Sequence, residues 1–103
     1  MCRLSLDTNL TLNGVNIMKV VKHYSTVGLN TTINGKVKLV QVCFDVLEND
    51  EVKVYAQSAR NLAQIHAAGA KIITRQELSD LPDDPYNDIV FARAAFGLLG
   101  LEI

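Results

Sequence analysis

Apolar and polar residues alternate through much of the first half of the chain, and the longest such stretch runs from Lys36 to Glu48, KVKLVQVCFDVLE. Successive side chains of a strand point to opposite faces. Val40, Val42, Phe44 and Val46 therefore share one face, and Leu39, Gln41, Cys43, Asp45 and Leu47 the other. Because both faces are partly apolar, the pattern predicts a central strand with helices on one side and a partly wet surface on the other. Asn34-Gly35 ahead of it suits a tight hairpin turn, and Asn49-Asp50-Glu51 behind it turns the chain into a returning strand over Val52–Gln57.

Upstream, Leu4, Leu6, Leu10 and Leu12 fall on one parity, which predicts a strand that is peripheral, since residues 1–17 precede a phrase opening at Met18. Asn13-Gly14 reverses the chain into an extended run over Val15–His23. The hydroxyl-rich residues to Ile33 continue it as a bent strand, with Gly28 marking a bulge or a close approach. At Ser58 the period changes. The alanine-rich run Ala59–Ala68 predicts a helix capped by Ser58 and closed by Gly69. Lys71–Ile73 is a short extended segment, and Thr74-Arg75-Gln76-Glu77 has the spacing of a capping box for a helix that the prolines keep short. Asp84-Pro85 predicts the start of a final apolar helix reaching Leu99. The expected fold is α+β, an antiparallel sheet of three to four strands with two principal helices packed on one face.

A chain of 103 residues supports one core, so residues 1–103 are read as a single domain. The formal charge of −1 confines any attraction to nucleic acid to local patches. Two cysteines at unremarkable spacing suggest neither a zinc module nor a disulfide scaffold, so no metal or cofactor is expected. The longest apolar region, Ile89–Ile103, is interrupted by Arg93 and is short for a membrane span; cytoplasmic residence is the default expectation.

Candidate chemistry is sparse. His23 with Asp45 or Cys43 would form a small catalytic cluster if the strands bring them together, because an oriented imidazole is a general base and a thiol needs one to act as a nucleophile. The plainer assignment makes Cys43 a core residue and Asp45 a partner of Arg60 or Lys19. Lys19, Lys22, Lys36 and Lys38, with Tyr24 as a stacking surface, are the candidate ligand or nucleic-acid contacts, although lysine on a strand edge also guards against edge pairing. Phe91, Phe96, Leu98, Leu99, Leu101 and Ile103 give the terminal helix surplus apolar surface, a candidate homodimer interface. The acidic group Asp80, Asp83, Asp84 and Asp88 lacks the spacing of a calcium loop. With no phosphate loop, nucleophile elbow or metalloprotease helix in view, the sequence reads as a small noncatalytic binding or protein-interaction module, homodimeric, taking a protein or small-molecule ligand. A small enzyme built on His23 and a nucleic-acid accessory protein are the alternatives.

Overall fold

Every strand of the main sheet is organised by β5, Lys36–Leu47, whose two edges are both paired. The computed structural model describes residues 11–12, 15–16 and 18–103. The expected leading strand therefore lies mostly outside the described residues. Within them β1 (Thr11–Leu12) and β2 (Val15–Asn16) pair antiparallel as a separate two-stranded ladder. The run expected from Val15 to His23 becomes strand of the main sheet only at Val20.

Among the described residues the main sheet is antiparallel with five strands: β3 (Val20–Ser25), β4 (Leu29–Ile33), β5, β6 (Glu51–Ser58) and β7 (Ala70–Thr74). Strands β3 and β4 lie end to end along one edge of β5, and β6 then β7 follow on the other. The β4–β5 hairpin turns at Asn34 and Gly35, with φ of 52° and 78°, the left-handed pair that matches the twist of the flanking strands. Asp50, with φ of 70°, closes the β5–β6 turn, where Asn49 Oδ1 accepts from the Glu51 amide at 3.1 Å.

One face of this sheet is covered. Val40, Val42, Phe44, Val46, Val52, Val54, Ala56 and Ile73 are buried against Ala92, Ala95 and Phe96 of the terminal helix. Two helices pack on that face: α1 (Arg75–Ser79) and α2 (Asp88–Leu98). The capping box is present, since Thr74 Oγ1 accepts from the Glu77 amide and Glu77 Oε1 from the Thr74 amide, each at 3.0 Å. The terminal helix starts later than Asp84-Pro85 implies. Asp84 Oδ1 accepts from the Tyr86 amide at 2.9 Å in a local turn, and Asn87 supplies the cap by accepting from the Ile89 amide at 3.2 Å.

The helix expected over Ala59–Ala68 does not form. Ser58 Oγ accepts from the Arg60 amide at 3.2 Å, but Leu62 then takes φ of 62° and the chain doubles back onto β6. There the Ser58 amide donates to Ala63 O at 2.9 Å and the Ile65 amide to Ala56 O at 2.8 Å, leaving only a 3-10 turn at His66–Ala68. Backbone pairing with β6 outweighs the alanine propensity. Among the described residues no helix is long and apolar enough to cross a membrane.

Candidate functional site

A one-residue slip between β3 and β4 decides which side chains meet on the open face of the sheet. Running back from the Asn34-Gly35 turn, β4 pairs with β5 as far as Leu29 opposite Val40. Beyond it the Thr26 amide donates to Val42 O at 3.0 Å. Three steps along this edge thus pass two along β5, so Val27-Gly28 carries one extra residue. The buried Thr26 adapts the corner: its hydroxyl accepts from the Val42 amide at 3.0 Å and donates to Val27 O at 2.9 Å. A Cβ at Gly28 would sit 3.3 Å from both Ala59 Cβ and Leu39 Cγ, a tight fit at this crossing.

Because strand parity is two, the slip exchanges the faces of everything upstream. His23 now stands directly opposite Asp45, and Tyr24 opposite Phe44. The Thr26–Val42 bond fixes the ladder's phase, making Tyr24–Phe44 and Lys22–Val46 the bonded pairs and His23–Asp45 a non-bonded pair, whose side chains approach most closely. His23 Nδ1 lies 2.6 Å from Asp45 Oδ1, with the two side chains 48% and 17% exposed. Neither Arg60 nor Lys19 is Asp45's partner in this contact. Donation from Nδ1 leaves the lone pair of a neutral ring on Nε2, the arrangement of an oriented base.

Cys43 shares that face, between Ser25 on β3 and Tyr55 on β6, and Asp45 lies between His23 and Lys53. Burial, then the charge of Asp45, pushes the Cys43 thiol up to about 11, against a hydrogen bond from Tyr55 that acts the other way. The thiol is fully covered and protonated at neutral pH, which keeps it out of thiolate chemistry. Tyr55 is likewise pushed up, first by burial and then by its hydrogen bond to Asp45 and that residue's charge. Lys53 Nζ sits 5.3 Å from the Tyr55 ring centre. Tyr55 and Lys53 were not among the sequence-derived candidates, yet the short β5–β6 turn places them opposite Cys43 and Asp45 and was the available signal.

The five residues named for ligand or nucleic-acid contact are divided by the fold. Lys22 and Tyr24 are together on the helix-bearing side, with Lys22 Nζ 5.6 Å from the ring centre. Lys36 and Lys38 are opposite Ile33 and Thr31. Lys38 is eight positions along β5 from the Val46 that faces Lys22, roughly 26 Å at the strand rise. Lys19 lies just before β3, its carbonyl accepting from the Glu48 amide at 2.9 Å. Of the six apolar residues named for a dimer face, Phe96 is fully covered and Phe91, Leu98, Leu99 and Leu101 pack on the chain's own core; Ile103 is 55% exposed.

Beside β3 an open groove of about 720 Å³ runs along the helix-bearing face. Val46, Leu78, Leu81 and Phe91 supply its apolar lining, Lys22 and Tyr24 border it on β3, and Arg75, Gln76, Ser79 and Asp83 add polar groups. Arg75 Nε is 2.9 Å from Asp50 Oδ1, both side chains more than half exposed. A second cleft, about 570 Å³, lies at the far end of β5 around Lys38, Arg60 and His66. Neither cleft is lined by His23, Asp45 or Cys43. Among the described residues no group of three or more His, Cys, Asp or Glu side chains is placed to hold a metal ion. Compared with protein-family models, curated proteins and solved structures, this chain matches none.

Proposed function

We propose that this protein is a noncatalytic binding module whose ligand is an amphipathic anion held in the groove beside β3. The groove itself carries the reading: apolar side chains from β5, α1 and α2 line it, and the cations Lys22 and Arg75 border it, Arg75 in contact with Asp50 and Asp83 the carboxylate of the lining. An apolar recess with a few convergent polar groups is the usual form of a ligand site. Association through the terminal helix has less support, because most of that helix's apolar surface is already packed on its own sheet.

Titration with anilinonaphthalene sulfonate, an anionic aromatic probe, tests the reading. The unmodified chain should bind it, and the double variant K22E/R75E should bind about tenfold more weakly, as expected for reversing two partly exposed charged contacts of up to about 1 kcal/mol each. Equal affinity in the two proteins, at unchanged thermal stability, would contradict it.

The 2.6 Å contact between His23 and Asp45 favours a second reading, an acid–base enzyme acting on the open face of the sheet. In it Asp45 orients the ring and Nε2 takes the proton from water attacking an ester. Hydrolysis of p-nitrophenyl acetate should then fall at least about tenfold in both H23Q and D45N, within the usual range for loss of general-base assistance. Identical rates in all three proteins would remove this reading.

A further inference from the structure

We infer that the outer edge of β3 receives an extended acidic segment of a partner protein as an added strand, an inference that rests on the groove beside β3 being the ligand site.

The backbone makes the first part of the case. With Tyr24 and Lys22 in the bonded pairs to β5, the amide and carbonyl groups of His23 and Ser25 point away from the sheet. Among the described residues β3 has no second neighbour. All six of its residues are exposed, including Val20, Val21 and Tyr24 at 45%, 48% and 41%. An open edge bearing apolar side chains is a template for another strand unless charge, proline or a covering element blocks it. On β3 Lys22, His23 and the register shift between Val20 and Lys22 could do so; His23 is turned to Asp45, and the shift leaves Lys22 to Ser25 in regular pairing with β5.

The side chains supply the second part. An added strand brings every second side chain onto the helix-bearing face, beside Lys22 and Tyr24 and next to the groove. Apolar residues there meet the Leu78, Leu81 and Phe91 side, and acidic residues meet Lys22 first, Arg75 being already in contact with Asp50. Among the described residues β4 and β7 also have an unpaired edge, and neither strand contributes to the lining of that groove. Charge complementarity also selects the partner. A second copy of β3 would bring its own Lys22 against this one, whereas an acidic strand brings the opposite charge.

The test is amide hydrogen exchange, read residue by residue, on the full chain with a synthetic peptide of alternating valine and glutamate. At a peptide concentration about ten times its dissociation constant, exchange at His23 and Ser25 should slow by about tenfold. The Lys22 and Tyr24 amides, already bonded to β5, should change little. The lysine counterpart of the peptide should give no protection, and K22E should weaken the glutamate peptide by about fivefold. Peptide-induced shifts at Phe91 and Leu78 without slowed exchange at His23 and Ser25 would overturn strand addition while leaving the groove as a ligand site. Absence of any perturbation, together with failure of the sulfonate probe, would overturn both. Protection of the same two amides without peptide, with sedimentation at twice the chain mass, would assign the edge to a second copy and overturn the acidic partner.

Discussion

Replacing Phe44 with alanine is expected to destabilise the protein by about 3–5 kcal/mol, the largest effect of any single truncation considered for this fold. Phe44 is fully buried on β5 and its ring centre lies 5.5 Å from that of Phe91, a tilted contact at 40°. It joins the strand paired on both edges to the helix that covers the sheet, and the valines around it cannot fill the vacated space without moving the ladder. Leu39, on the same strand but 36% exposed, sets the comparison: its truncation removes less buried surface and should cost well under half as much. Urea denaturation measures both. A Phe44→Ala cost below about 1 kcal/mol would mean that the covered face is not the core described.

Alkaline pH should produce the second large effect, through Cys43. Burial and the neighbouring Asp45 charge hold the thiol proton in the folded state, moving the group from its ordinary 9.0 to about 11. A raised value stabilises the fold fully while both states remain protonated, below pH 9. As pH rises from 9 toward 11 the unfolded chain ionises first, and about 2–3 kcal/mol is lost across that window. Tyr55, pushed up in the same direction from 10.0, prolongs the fall at higher pH. Cys43→Ser has no comparable ionisation, so its unfolding free energy should decline less steeply between pH 9 and 10.5 than that of the unmodified chain. Parallel declines would show that the thiol is not held as its surroundings imply.

The elements legible in the sequence are those fixed by local chemistry. Lys36–Leu47 alternates cleanly, Asn34-Gly35 suits a two-residue turn, and Thr74 with Glu77 forms a reciprocal cap within one turn of chain. None depends on distant residues. Ala59–Ala68 has equally strong local signals for a helix, but its amides and carbonyls find partners on β6, and propensity gives way. The final helix was legible in its apolar content and misplaced at its start, because both Asp84 and Asn87 can accept from a nearby amide and only the second opens the helix.

Register explains what could and could not be read of the candidate site. His23 and Asp45 are 22 residues apart, and their meeting depends on the extra residue at Val27-Gly28. Extending the β4–β5 register without that bulge would set His23 opposite Val46 and turn its ring toward the helices. Gly28 signalled an irregularity; its size, which sets the face, comes from Thr26 bonding to Val42. The groove was not legible, since its lining comes from β3, β5, α1, α2 and the segment between the helices. Lys22 and Tyr24 stand out on their own strand, while Arg75, Leu78, Leu81 and Phe91 join them only through packing.

Hydrogen exchange of the free protein, resolved for each amide, tests the arrangement most directly. The amides of Val42, Phe44 and Val46 should exchange only through global unfolding, while those of His23 and Ser25, directed away from β5, should exchange close to the rates of an unstructured chain. Slow exchange at His23 and Ser25 matching that at Val42, in dilute monomeric protein, would mean that the β3 edge is already occupied and would contradict the binding surface described.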